Sequence, residues 1–85
     1  NYPNPFNNVT NIEFKLGSFA KTRLSIIDVL GRRIRTIVDA PLSAGHHKFH
    51  WDGCNDGGTK MSTGIYFYNL QSGIYETKRR LSMIK

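Results

Sequence analysis

Several oxygen-bearing side chains cluster in one glycine-rich loop, which makes this loop the first place to look for metal chemistry. Asp52, Asn55 and Asp56 stand within five consecutive positions, with glycines between and after them. Such side chains can supply calcium ligands, but the loop lacks the alternating ligands and the closing glutamate of an EF-hand. Turns use the same residue types to accept backbone amides. We therefore predict a structural loop, with no metal and no other cofactor.

The histidines and the single cysteine, Cys54, are the remaining groups with zinc-binding or catalytic chemistry. His46 and His50 fall on one face of a strand-like segment and His47 on the other, because alternate residues of a strand point to opposite faces. No cysteine or carboxylate stands at the spacing of a zinc site. Cys54 has no identifiable base near it, and no serine lies in a nucleophile-elbow context. These patterns predict that the chain is not an enzyme.

The Trp51-Asp52-Gly53 corner admits two interpretations. In one, the Trp51 ring is a stacking surface for carbohydrate, and the tyrosines that would extend this surface are Tyr66, Tyr68 and Tyr75. In the other, Trp51 lies in the core and Asp52 holds the turn by accepting backbone amides. A chain of 85 residues with one cysteine, and so no internal disulfide, needs its large aromatic side chains for burial. We therefore favour the structural interpretation.

Apolar and polar residues alternate with a period of two along most of the chain. This pattern predicts strands around Ile12–Leu16, Leu24–Ile26 and Ile34–Val38, with the last ended by Asp39-Ala40-Pro41. Ile65–Leu70 is apolar on both faces, as in a central strand. Six or seven short strands without a helical pattern predict an all-β fold, a small antiparallel β-sandwich. The expected core residues are Ile12, Phe14, Leu16, Leu24, Ile26, Phe49, Trp51, Tyr66 and Tyr68.

A net charge of +6 raises the question of a nucleic-acid partner. The basic residues form only two groups, Arg32–Arg35 and Lys78–Arg80, and neighbours in a strand point to opposite faces. Neither group makes a continuous basic stripe, so we predict no nucleic-acid binding. No apolar run is long enough to span a membrane, so we also predict no membrane insertion.

Taken together, the placed strands and turns resemble a known family, the C-terminal sorting domains of type IX (Por) secretion substrates in Bacteroidetes and related bacteria. That family is related to the immunoglobulin-like domain of the flagellar hook-capping protein. The segments that carry the resemblance are Tyr2-Pro3-Asn4-Pro5-Phe6, Ile27-Asp28-Val29-Leu30-Gly31-Arg32 with Ile34, Leu42-Ser43-Ala44-Gly45-His46-His47 leading to Trp51-Asp52-Gly53, Gly64-Ile65-Tyr66-Phe67-Tyr68, Leu70-Gln71-Ser72-Gly73 and Ile84-Lys85.

The resemblance implies an immunoglobulin-like sandwich that directs a larger secreted protein across the outer membrane and attaches it to the cell surface. Its implied partners are the outer-membrane secretion and attachment machinery and a covalently linked upstream catalytic or adhesive domain. We expect residues 1–8 to form an extended lead-in and residues 9–85 a single sandwich cut from a larger protein. The alternatives are a carbohydrate-binding module and a structural spacer domain of an extracellular glycosidase.

The two ends of the sequence are the segments to which we assign specific roles. The opening motif comprises Tyr2, Pro3, Asn4, Pro5 and Phe6, in which each proline fixes its own φ and disfavours helix in the residue before it. At the other end, an extended basic-apolar strand can either protect a sheet edge or be captured by a receptor through strand addition. The resemblance favours recognition, and the residues of this tail are Lys78, Arg79, Arg80, Leu81, Met83, Ile84 and Lys85.

Overall fold

The computed structural model describes residues 10–62 and 64–83, and for Ser82 and Met83 it describes the backbone alone. This part of the chain contains strands and turns but no helix. The strands are β1 (Thr10–Leu16), β2 (Ala20–Ile27), β3 (Arg33–Leu42), β4 (Gly45–Trp51), β5 (Gly64–Ser72) and β6 (Tyr75–Met83). No helix in the described ranges has the length and apolar character needed to cross a bilayer.

The strands form two antiparallel sheets. Strands β1 and β4 make a two-stranded sheet, and the other four form a sheet in the order β3-β2-β5-β6. The apolar segment Ile65–Leu70 lies in β5, which has a partner on each side. The predicted all-β sandwich of six to seven strands is therefore confirmed, with six strands.

The core lies between the two sheets and draws on both. Ile12 of β1 and Trp51 of β4 pack against apolar side chains of β2 and β5. The indole ring of Trp51 meets the ring of Tyr66 edge to face, with centroids 5.1 Å apart. Burial of these side chains supplies the main driving force for association of the sheets. The fully or nearly fully buried members of this cluster are Ile12, Leu24, Ile26, Trp51, Tyr66 and Leu70.

Strand β3 departs from the sequence-based prediction in two ways. It continues through Asp39, Ala40 and Pro41, which we had expected to end it. Pro41 is tolerated because β3 is an edge strand, where a residue without an N–H group costs no ladder bond on its open side. The register with β2 also shifts twice, and these irregularities let Ile34, Ile37 and Val38 all pack on the core.

Candidate interaction surface

The Trp51-Asp52-Gly53 corner is held by hydrogen bonds to its own backbone. Trp51 is 0% exposed, and its Nε1 donates to the carbonyl oxygen of Cys54 over 2.8 Å. The Oδ1 atom of Asp52 accepts the amide of Cys54 at 3.0 Å. Gly53 adopts a φ of 85°, a left-handed conformation that residues with a Cβ rarely adopt. The structure thus places Trp51 in the core, and Asp52 and Gly53 form the turn that follows it.

The oxygen-rich loop that follows also directs its side chains to backbone groups. The Oδ1 atom of Asn55 accepts the amide of Thr59 at 2.9 Å, and the Oδ1 atom of Asp56 accepts the amide of Thr36 at 3.0 Å. Within the described ranges, no three His, Cys, Asp or Glu side chains come together as a metal-binding group. The arrangement is that of a structural loop.

The turn between β2 and β3 is built around Asp28. Its Oδ1 accepts the amides of Leu30 and Arg32, each at 2.9 Å, and its Oδ2 accepts Nε of Arg32 at 2.8 Å. Partial removal from water acts to raise the pKa of Asp28. The amide and guanidinium of Arg32 and the amide of Leu30 outweigh that effect and hold the pKa below its usual value.

The histidines do not assemble into a site. His46 and His50 lie exposed on β4, on the face away from the core, whereas His47 is half-buried on the other face. The Nε2 atom of His47 lies 2.8 Å from the carbonyl oxygen of Ser43. Its ring contacts those of both Phe14 and Phe49, with centroids 5.5 and 6.5 Å away, and the three rings form a small cluster. Cys54, in the loop after β4, is half-buried and its thiol is free.

One edge of the four-stranded sheet, that of β3, is covered by this loop. Asp56 donates its own amide to the carbonyl oxygen of Ile34 at 3.0 Å and accepts the amide of Thr36 through its side chain. Nη1 of Arg35 lies 3.3 Å from Oδ1 of Asp52 in an ion pair. Further along, Pro41 offers no donor. The loop therefore covers the outer edge of β3 at Ile34 and Thr36.

The opposite edge, that of β6, carries the predicted recognition tail and is open. Strand β6 pairs with β5 at nine consecutive positions without a register shift, and no other strand of the described chain pairs with it. Lys78, Arg79 and Arg80 are exposed, and none of the three forms an ion pair with another described residue. Leu81 is half-buried against the core. Ile84, Lys85 and the opening motif, Tyr2–Phe6, lie outside the described residues, as does the side chain of Met83.

The register of the four strands arranges the outer face of this sheet in cross-strand rows. In one row, Arg23 pairs with Asp39 at 3.6 Å and Nε2 of Gln71 donates to Glu76 at 3.4 Å, so both carboxylates of this row have a partner. Towards the C-terminal half of β6, acidic residues are absent from the next two rows. These rows run Thr36–Ser25–Asn69–Lys78 and Arg33–Ile27–Phe67–Arg80. Sequence reasoning missed this concentration of positive charge, because it depends on the register between strands distant in sequence.

A model of the FlgD Ig-like domain family matches residues 4–75, which is most of the chain. The chain belongs to this family. A search of curated proteins finds no match.

The solved structures add a relative of the same fold. The crystal structure of FlgD from P. aeruginosa superposes on the domain with a TM-score of 0.75 and 22% sequence identity. The match covers 88% of this chain and 62% of the P. aeruginosa chain, so the domain spans less than two thirds of that protein's length. At this level of identity the likeness establishes the fold, and it agrees with the two-sheet sandwich seen here.

The family assignment corrects the function predicted from the sequence. The prediction of a type IX sorting domain is wrong, because the match is to the FlgD Ig-like domain. The predicted partners, which were the outer-membrane secretion and attachment machinery and a covalently linked upstream catalytic or adhesive domain, are wrong for the same reason. The relation to the hook-capping protein's immunoglobulin-like domain, part of the same resemblance, is the part that holds.

The glycosidase-associated alternatives, a carbohydrate-binding module or a spacer, are overturned by the same assignment. The positions of the aromatic side chains also argue against a surface that stacks on carbohydrate. Trp51 and Tyr66 are 0% and 6% exposed and face each other in the core, so neither ring can stack on a sugar. Tyr68 is half-buried and Tyr75 exposed, and they lie on different strands of the large sheet. These tyrosines do not form a shared platform with Trp51.

Proposed function

We propose that the chain is a non-catalytic assembly domain of a FlgD-type flagellar hook-capping protein. The family match over residues 4–75 is the observation that carries this proposal. The loop side chains that could have bound a metal, namely those of Asp52, Asn55 and Asp56, instead accept backbone amides, which supports a structural role. In this role the domain acts outside the cell, in keeping with the extracellular location expected from the sequence.

A domain exchange in a flagellated bacterium tests this role. The Ig-like domain of that organism's own FlgD is replaced by the present domain, in a strain that lacks the native gene. We expect hooks to form, as counted by electron microscopy, and swimming motility to recover at least in part. A chimera that carries an unrelated β-sandwich of similar size is the matched control.

The chimera's abundance must be measured alongside, because a small sandwich that fails to fold is degraded. Wild-type abundance with no hooks would contradict the proposal. Hook formation with the unrelated sandwich as well would show that any spacer suffices, and would equally overturn an assembly role for this domain.

A further inference from the structure

The open edge of β6 lacks the geometric protection found at the β3 edge. Natural sheets protect their edges with charged side chains, proline, bulges, short strands or a covering loop, because a free edge can pair with another chain. The β3 edge uses three of these devices, namely Pro41, two register shifts and the bonds made by Asp56. Strand β6 is nine residues long, pairs with β5 without a register shift and contains no proline. It retains a regular row of backbone donors and acceptors.

The charges on β6 determine which chain can use that row. Lys78, Arg79 and Arg80 are consecutive, so Lys78 and Arg80 lie on the outer face of the sheet and Arg79, opposite Tyr68, on the core side. A strand added to this edge would therefore meet a cation on both of its faces. Since none of the three is paired with a described acidic residue, their charges are available to an incoming partner.

A second copy of the same strand is a poor partner for this edge. Antiparallel pairing of two β6 strands about Arg79 would set Lys78 of each directly opposite Arg80 of the other. Like charges at directly opposed positions destabilise a strand pair. The same three residues that reject self-association would attract a strand that carries carboxylates at the facing positions.

We propose that the β6 edge binds an extended acidic segment of another polypeptide by strand addition. The backbone ladder supplies the general affinity, and the pairing of carboxylates with Lys78, Arg79 and Arg80 supplies the selectivity. A polypeptide is the partner class that fits, because a polynucleotide shares the negative charge but has no amide ladder to match the edge. This inference is independent of the hook-capping role.

Binding of short capped peptides to the 85-residue chain at low salt tests the proposal, with fluorescence anisotropy as the readout. The probe is a labelled nine-residue peptide of threonine and valine with three central glutamates. A second peptide has the same sequence with alternate backbone amides N-methylated along the edge that faces the domain, which removes the donors and keeps the charge. A third carries lysines in place of the glutamates, and a thymidine oligonucleotide of similar length represents other polyanions.

The informative variant is the double substitution Lys78→Glu and Arg80→Glu. Its matched control is Lys15→Glu with Lys21→Glu, on β1 and β2, since both double variants lower the net charge from +6 to +2. We expect the β6 variant to weaken binding of the glutamate peptide by about tenfold, as reversal of two cross-strand charge pairs does. The control should change it by less than about threefold, through screened long-range attraction alone. Circular dichroism of each variant confirms that it is folded.

The backbone probes separate strand addition from attraction between charges. The N-methylated and lysine peptides should bind at least about tenfold more weakly than the glutamate peptide. Backbone amide resonances of β6 should shift on binding, while those of β3 stay in place. No binding of the glutamate peptide, equal binding of the N-methylated one, or equal losses in the two double variants would each overturn the proposal. The proposal would also be overturned if the oligonucleotide bound as tightly as the glutamate peptide and the β6 double variant abolished that binding.

Discussion

The two edges of the four-stranded sheet are protected by different means. The β3 edge is covered through geometry, because Asp56 occupies the carbonyl of Ile34 and the amide of Thr36. The β6 edge has no further strand beside it among the described residues and is protected by charge, with three adjacent cations that form no ion pair there. Bonds that cover an edge contribute to stability, whereas exposed cations on an uncovered edge contribute little. The difference predicts that mutations at the two edges will have separable effects.

The largest effect is expected where the covering loop joins the core, at Trp51. Truncation in Trp51→Ala should lower the free energy of unfolding by roughly 3–5 kcal/mol, as other truncations of buried aromatic residues do. For a domain of this size that is a large part of the net stability. Urea unfolding followed by circular dichroism measures it. Trp51→Phe is the control, since it keeps a ring in the core and should cost less. A loss below 1 kcal/mol in the alanine variant would contradict the burial of Trp51.

A smaller effect is expected where the loop covers the β3 edge. Asp56→Ala removes the acceptor for the amide of Thr36 and should cost about 1 kcal/mol of unfolding free energy. Exchange of the Thr36 amide with deuterated water should become faster, because its hydrogen bond is lost. Asp56→Asn retains an acceptor oxygen and should keep most of the protection. If Thr36 exchanged at the same rate in the alanine variant, the covered-edge interpretation would fail.

The turn at Asp28 predicts a pH dependence. Because its pKa is lower in the folded state than in the unfolded chain, Asp28 stabilises the fold above the unfolded pKa, and this contribution is lost as pH falls through the folded pKa. In Asp28→Asn the ionised group is absent, so the acid loss of stability should be shallower than in the wild-type chain. Unfolding curves from neutral pH to about pH 3 measure the difference in unfolding free energy between the wild-type chain and the variant. This difference should become smaller towards acid pH. A gap that stays constant with pH would contradict this assignment.

The smallest effect is expected at the open edge. The double substitution Lys78→Gln and Arg80→Gln should change the unfolding free energy by no more than about 0.5 kcal/mol, because both side chains are exposed and without ion pairs among the described residues. The same variant should associate more readily at high protein concentration, since only Arg79 remains to oppose edge-to-edge pairing by charge. Sedimentation velocity measures the second effect. A loss above 1 kcal/mol would show that these cations belong to the fold.

Local patterns along the chain were sufficient to predict the elements that depend on neighbouring residues. Alternation with a period of two identified strands, and the apolar segment Ile65–Leu70 indicated a central strand, which the position of β5 between β2 and β6 confirms. The outer face of β5 is nevertheless only partly covered, since Ile65 is 42% exposed. The small size of the chain favoured a buried Trp51 over an exposed one. The turn residue Asp52 was assigned to backbone amides because short polar side chains bond their own neighbours. The family resemblance, in contrast, led to a wrong function.

Packing of the whole chain set which strands are edges and which groups cover them. The sequence placed a strand end at Asp39–Pro41, because proline cannot donate to a ladder. The fold puts Pro41 on an edge strand, where no donor is needed. The bond between Asp56 and Thr36 joins residues 20 positions apart, and the rows that concentrate positive charge join four strands. Local patterns cannot fix such contacts, because register and sheet order follow from how the whole chain packs its core.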